Sequence, residues 1–474
     1  MKKVFRFTFI FLFLLGTSVP LTALERRTST QEDQTALEIT VYNSNLGLVK
    51  DQRQIKLGSG IQELKFMDVA SQIIPTSVSI KSLQETDPFS ILEQNYEYDL
   101  LSPRKLLDKY VGKEVKLFTK NPYTDKEEMV SATLLANNEN QPVFQIGRDI
   151  TFHHPGRILF PEIPKDLISK PTLIWLLKNT ATHSQKIEAL YLTNGLNWKS
   201  DYVLVLNAQD TQANLSGWVT IDNKSGATYQ NAGLKLVAGD IHRVREDFQR
   251  AKKVMAAPRE AAAPQFKEES FFEYHIYSLE RKTTLKENQT KQISLLNADR
   301  IPVSKEFIYR GSTYYYRNKQ GEIISNQKVG VFIHISNSKD HHLGMPLPKG
   351  TVRAYKRDSD GSLQLVGEDS IDHTPKDEKI RLKLGEAFDL KAERKQTHWE
   401  KIASDTYESA YEISLRNHKK EDVIIRVIEP LPGDWKVLEH SQAYTKLDAS
   451  TIAFDLPVPK DKESKLKYRV RIKF

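Results

Sequence analysis

The last nine residues alternate without a break: Leu466, Tyr468, Val470, Ile472 and Phe474 are apolar, while Lys467, Arg469, Arg471 and Lys473 are basic. Side chains two apart share one face of a strand, so this segment has a buried face and a wet face only when extended. The same grammar recurs at Ile380, Leu382 and Leu384 against Arg381 and Lys383, and at Tyr411, Ile413 and Leu415 against Glu412, Ser414 and Arg416. A β-rich run, Leu37–Tyr42, leads into the turn formers Asn43 and Asn45. One helix is signposted: Ser102 is an N-cap, Pro103 suits the first helical position, Leu106, Leu107 and Tyr110 share a face, and Gly112 closes the end.

These signals define the expected fold as mainly β: several antiparallel β-sandwich or barrel-like domains, with one short helix near 103–111. The 474 residues supply two to four domains. Residues 24–36 read as a polar linker and 37–164 as an N-terminal β domain. Its strands at Glu114–Phe118, Met129–Leu135, Val143–Ile146 and Arg157–Phe160 form a small meander, and Pro164 marks the boundary. Residues 165–396 read as a central β domain. Within it, 246–270 mixes alanine, proline and charge with few apolar anchors, as a flexible insertion does. Residues 397–474 carry five strands and the turn Pro430-Leu431-Pro432-Gly433, the layout of an immunoglobulin-like sandwich without its disulfide.

Residues 1–23 place Lys2, Lys3 and Arg6 ahead of the apolar run Phe7–Leu15 and end in Leu21-Thr22-Ala23, the three-part layout of a secretory signal. Cleavage after Ala23 is expected, with an exported chain, periplasmic or extracellular and without a transmembrane segment after signal removal. An uncleaved anchor is the alternative, because Leu21 sits where a small residue is preferred. Removing Lys2, Lys3 and Arg6 from the 69 basic residues leaves 66 against 61 acidic ones. Five of those excess charges fall in the last fifteen residues, so the remainder is neutral and no nucleic-acid partner is expected. The basic terminus itself suits either a solvated strand face or a contact with an anionic envelope polymer. The chain has no cysteine, which excludes disulfides, thiolate metal sites and cysteine nucleophiles.

No His-Glu-x-x-His, EF-hand, phosphate-binding glycine loop or Gly-x-Ser-x-Gly elbow occurs, and no catalytic residue can be assigned. Candidate sites are therefore clusters rather than motifs. Asp369, Asp372, His373, Asp377 and Glu378 surround Pro375 and would hold a divalent metal or do acid–base chemistry if the loop folded back, with His275 as a further donor. A solvated loop is the plainer alternative. Asp358-Ser359-Asp360-Gly361 looks like a calcium run but lies between two strand patterns, where a hairpin turn accounts for it. His341-His342, His153-His154 and Glu273-Tyr274-His275 are weak chelates, since adjacent side chains on a strand point to opposite faces. Trp198 and Tyr202 suit either a ligand-stacking aromatic surface or core anchors. No cofactor is required by these residues.

Several blocks stand in order over nearly the whole mature chain. They are Val41-Tyr42-Asn43 with Asn45-Leu46, Leu92-Glu93-Gln94-Asn95-Tyr96-Glu97-Tyr98-Asp99-Leu100-Leu101-Ser102-Pro103, Trp198–Tyr202, Gly217–Gly226, Ala238-Gly239-Asp240, Glu273-Tyr274-His275 and Asp372–Glu378. With these blocks the sequence resembles the bacterial family labelled domain of unknown function 4139. The resemblance implies an exported, β-rich protein and carries no catalytic residues with it. Relatives of that family named after mucoidy inhibition hold a long coiled-coil insertion, and no such heptad run is present here. Two functions stay open: a non-catalytic cell-envelope protein that binds or scaffolds an envelope polymer or a protein partner, and an envelope hydrolase or metal-dependent enzyme using 369–378. Oligomeric state is left open.

Overall fold

The computed structural model describes residues 25–84, 88–120, 126–138, 141–152, 154–164, 167–181, 183–239, 265–321 and 323–474. The signal expected at 1–23 and most of the insertion, 246–264, lie outside the described residues. Among the described residues the chain is mainly β, with one α-helix, and it forms two compact units that interleave along the sequence. The first comprises the described residues up to Ala36 with Asp51–Ser71 and Val78–Leu190; the second comprises Leu37–Lys50, Gln72–Ser77 and Tyr191–Phe474. Among the described residues, no helix is long and apolar enough to cross a membrane.

In the first unit a four-stranded sheet runs in the order Glu25–Ser29, Gly60–Met67, Thr172–Asn179, Phe89–Glu97. Thr172–Asn179 reads Thr-Leu-Ile-Trp-Leu-Leu-Lys-Asn and is covered on both faces, as a near-continuous apolar strand must be. The expected meander is an antiparallel five-stranded sheet ordered Asp149–Phe152, Gln141–Ile146, Glu127–Asn138, Glu114–Lys120, Arg157–Leu159. Helix Pro103–Tyr110 packs Leu106, Leu107 and Tyr110 on its Val115, Leu117, Leu134 and Phe144. The Ser102 hydroxyl accepts the Lys105 N–H at 3.3 Å, the N-cap that the sequence indicates.

Of the stretch 24–36, expected as a linker, residues 25–36 are ordered structure. Glu25–Ser29 lies parallel to Gly60–Met67, a 3₁₀ turn at Gln31–Asp33 follows, and Gln34–Tyr42 begins the next strand. Ser29 is tied to the interior through its backbone. The buried Arg53 guanidinium donates to Ser29 O (3.0 Å), Met67 O (2.8 Å) and Asp51 Oδ2 (2.8 Å), and lies 3.5 Å from the centre of the Phe66 ring. A buried cation with this many acceptors holds three segments together, and a polarity pattern cannot show it. Similarly, 265–270 of the expected insertion is largely strand: Phe266–Phe271 pairs antiparallel with Tyr274–Leu279.

The second unit holds two layered regions. Leu196–Leu206, Gln212–Asn223 and the first part of Gln289–Arg310 form a sheet, extended by the hairpin Gly350–Arg357/Leu363–Ile371. Over it lie Tyr229–Ala238, Tyr274–Leu279 and residues 38–42, the last parallel to Tyr229–Ala238. The C-terminal region is a β-sandwich. One sheet orders Ile324–Ser336, Lys379–Lys401, Thr406–Asn417, Glu463–Lys473 and Asp434–His440. The other joins Val423–Pro430, Thr451–Val458 and Tyr444–Asp448. Strand Lys379–Lys401 runs through position 397, where the last domain was expected to begin. The C-terminal alternation is realised as read: Leu466, Tyr468, Val470 and Ile472 are buried.

Inside this sandwich sits a fully buried charge network. Arg394 Nη1 donates to Glu429 Oε1 at 2.7 Å and Nη2 to the Tyr468 hydroxyl at 2.7 Å. The Tyr316 and Tyr468 hydroxyls donate to Glu429 Oε2 at 2.9 and 3.0 Å, and the guanidinium stacks 4.0 Å from the Tyr411 ring. Burial alone would lower the Arg394 pKa, but Glu429 and the tyrosine oxygens outweigh it and raise it. Breaking a buried pair strands the other charge, at a cost of about 3–5 kcal/mol. Glu429→Gln is therefore expected to lower unfolding free energy by about that amount in urea titration, and Tyr316→Phe by about 1 kcal/mol. A Glu429→Gln loss no larger than that of Tyr316→Phe would contradict this.

Candidate functional site

The loop 369–378 is shaped from behind by Asn337, a buried residue at the end of Ile324–Ser336. Its side-chain amide donates to Met345 O and Pro375 O, both at 2.8 Å, and its Oδ1 accepts the Gly344 N–H at 3.0 Å. Its backbone exchanges bonds with Asp377 and Glu378, and Leu347 and Thr374 close a two-residue bridge. Asp377 adopts φ +67°, a left-handed turn conformation that aspartate tolerates. The loop is thus held by the neutral amide of Asn337.

The acidic side chains go separate ways. Asp369 accepts Lys383 N–H at 2.7 Å and Ser370 N–H at 2.8 Å; Asp372, Asp377 and Glu378 are exposed, with Lys376 Nζ 3.4 Å from Asp377. His373 Nδ1 accepts the Lys349 N–H at 3.2 Å, and its Nε2 faces the Asn43 amide at 3.5 Å. A ring whose Nδ1 lone pair takes a backbone N–H carries its proton on Nε2, so neither nitrogen is free as a ligand. His275 lies on Tyr274–Leu279 with Nδ1 2.7 Å from Glu268 Oε1, in a cross-strand pair of its own hairpin. Among the described residues, no group of three or more His, Asp or Glu is placed to hold a metal ion.

Trp198 and Tyr202 form no aromatic surface. Both are buried; Trp198 Nε1 donates to Val237 O at 3.2 Å and packs edge-on against Tyr277, and the Tyr202 hydroxyl donates to Pro348 O at 2.7 Å. Burial raises the Tyr202 pKa. Their amphipathic rings explain the correction, since each buries its body and satisfies its one polar atom on a backbone carbonyl. The Asp358–Gly361 run is the tip of the hairpin Gly350–Arg357/Leu363–Ile371, with Asp358 Oδ1 taking the N–H groups of Asp360 and Ser362. His341 Nδ1 bonds Ser338 Oγ at 2.8 Å, His342 sits in a left-handed turn, and His154 Nδ1 accepts the Gly156 N–H. His153 lies outside the described residues.

What the sequence did not single out is a set of asparagine clasps. Asn45 Oδ1 accepts the Gly195 N–H at 3.1 Å, and Asn223 donates to Ala227 O and Leu285 O while its Oδ1 takes Ser225 N–H and Oγ–H. Asn43 reaches His373, so the block beginning at Val41 touches the block beginning at Asp372. The signal was present only as turn-forming asparagines, whose partners lie far off in sequence.

The basic C-terminal strand is charge-paired. Arg469 and Arg471 both meet Glu408, Lys465 and Lys467 meet Glu412 at 3.1 and 3.0 Å, and Lys473 Nζ is 3.9 Å from Asp405. These partners lie on or beside the adjacent strand Thr406–Asn417. Its cations lie within ion-pair distance of the fold's own carboxylates. No protein-family model matches the chain, and no curated protein matches it.

Two measurements follow. Asn337→Ala leaves several buried backbone groups without partners and should cost about 3 kcal/mol, whereas Asp377→Gly relieves the left-handed turn and should gain about 0.5–1 kcal/mol. Thermal melting of both variants checks the pair; equal melting temperatures would show that Asn337 does not fold the loop. Secondly, burial pushes the Glu408 carboxyl up, but Arg471 and Arg469 overcome it and hold the pKa below the usual carboxylate value. The stabilisation it gives is complete above about pH 4.5 and is lost as pH falls through the lowered folded-state pKa. Glu408→Gln should accordingly flatten the acid side of the stability profile, and an unchanged acid limb in urea titrations from pH 7 to 2 would refute it.

Proposed function

We propose that the chain is an exported, non-catalytic binding or scaffold protein of the bacterial cell envelope, periplasmic or extracellular, and a member of the family labelled domain of unknown function 4139. In this proposal its C-terminal sandwich is immunoglobulin-like. The observation that carries the reading is where the polar atoms of those blocks go. Asn45, Trp198, Tyr202, Asn223 and His373 spend them on other parts of the frame. What the frame leaves outside is apolar: Phe272 at the tip of the hairpin Phe266–Phe271/Tyr274–Leu279 is 82% exposed, beside exposed Phe271. An exposed aromatic tip on a fixed frame is the composition of a contact surface. Export is supported by the basic and apolar order of residues 1–23.

The hydrolase or metal-enzyme reading requires Asp372, His373, Asp377, Glu378 and His275 to converge, and the separate engagements described above give it no support. A photo-crosslinking residue in place of Phe272, used in intact cells, should capture an envelope protein or polymer, and amino-terminal sequencing of the recovered chain should begin just after Ala23. Recovery from the cytosol with its first residues intact, or hydrolysis of an envelope polymer by the pure protein with no crosslinked product, would overturn the proposal.

A further inference from the structure

The strand Phe89–Glu97 ends the four-stranded sheet of the first unit, paired on one side to Thr172–Asn179. Among the described residues no strand pairs with its other side. It is nonetheless fixed from beneath. The Tyr96 hydroxyl donates to Ala70 O and Ser71 O at 3.0 Å each, and Gln94 Oε1 accepts the Trp175 indole N–H at 2.8 Å. Ile91 is 42% and Leu92 48% exposed, and residues 90–95 are all exposed. Every second N–H and C=O on such an edge is directed away from its partner strand, a template for one more strand.

Exposed edges are normally guarded by proline, charged side chains (lysine above all), a bulge or a covering segment. This one has neither proline nor lysine over 89–97. It has a bulge at Leu92, where Ile91 and Glu93 oppose the consecutive residues Leu177 and Leu176. Its charges are two acids, Glu93 and Glu97, four residues apart and therefore on one face. Neither has an ion-pair partner among the described residues, in contrast to the neighbouring Asp99, which Lys105 and Lys109 hold at 2.9 and 3.3 Å.

We propose that this edge accepts an extended peptide segment of another protein as an added strand, recognised by lysine or arginine four residues apart opposite Glu93 and Glu97 and by an apolar side chain opposite Ile91. This names a partner class for the binding reading above and rests on it. Main-chain bonds supply the attachment and the alternate side chains the selectivity. A second copy of this chain is the disfavoured occupant: antiparallel pairing of 89–97 with itself over its full length brings Glu93 against Glu93, pairing centred on Asn95 brings Glu93 against Glu97, and like charges directly opposite are repulsive.

The probe is the labelled peptide Thr-Lys-Val-Thr-Thr-Lys-Val-Val-Thr, titrated into the chain lacking residues 1–23 and followed by fluorescence anisotropy, with hydrogen exchange read over 89–97. Saturable binding, slowed exchange confined to this strand, and affinity about tenfold lower for Glu93→Lys/Glu97→Lys are expected, as is a similar loss when glutamate replaces both peptide lysines. Both substituted side chains are exposed, so the melting temperature of the variant reports that it has folded. No binding, protection elsewhere, indifference to charge reversal, or a dimer in sedimentation that Glu93→Lys abolishes would each overturn the proposal. Binding of the peptide with no capture at Phe272 in cells would instead uphold the edge and count against the wider reading of a contact surface at the hairpin tip.

Discussion

A guanidinium group in the middle of a β-sandwich has to find acceptors for its donors from inside the protein, because two stacked sheets leave no route for water between them. Arg394 meets that requirement at Nη1 with Glu429 from the opposite sheet and at Nη2 with Tyr468 from the strand two along, its Nε alone lacking an acceptor, and Tyr316 completes the carboxylate. Each partner sits on a different segment, so the network forms in only one alignment of the two sheets. Gly311 belongs to the same constraint: a side chain there would meet the Glu429 carboxylate. Hydrophobic burial supplies the adhesion of this core, in which Phe454, Tyr411 and Ile425 are covered, but it is tolerant of small slips along a strand. The charged cluster is not, because a slip of one residue would bury an unpaired ion.

The first unit repeats the device with a different acceptor set. Arg53 is satisfied by Asp51 and by the carbonyls of Ser29 and Met67, so the strand Glu25–Ser29 is attached through its backbone rather than through apolar side chains. That explains how a segment exposed over its first four residues can be a strand at all. The two units thus share a way of fixing alignment while differing in what they fix: sheet against sheet in one, an added edge strand in the other.

Legibility in the sequence follows from the same physics. Period-two alternation reports a strand with one wet face, and Glu463–Lys473, Thr406–Asn417 and Glu114–Lys120 were readable for that reason. The helix was readable because Ser102 and Pro103 act on their immediate neighbours. Glu25–Ser29 and Phe89–Glu97 were not, since an edge strand exposed on most of its residues has no alternation to show. The candidate sites failed similarly. Nothing local to Asp372, Asp377 and Glu378 shows that their loop is folded by Asn337, some forty positions earlier, or that Trp198 and Tyr202 turn inward.

Charge placement then separates the surfaces that the fold has completed from those it has not. Along Glu463–Lys473 each cation faces a carboxylate on or beside the neighbouring strand, so the most basic part of the sequence is electrostatically closed. Along Phe89–Glu97 the sheet ends among the described residues, where the carboxylates of Glu93 and Glu97 stand without cations and Ile91 and Leu92 stand exposed. Burying those apolar side chains requires another extended backbone, and any such backbone that approaches must also answer two negative charges in a desolvated strip. The acids therefore do not close the edge; they determine which strand can complete it, admitting a cationic one and turning away a copy of itself.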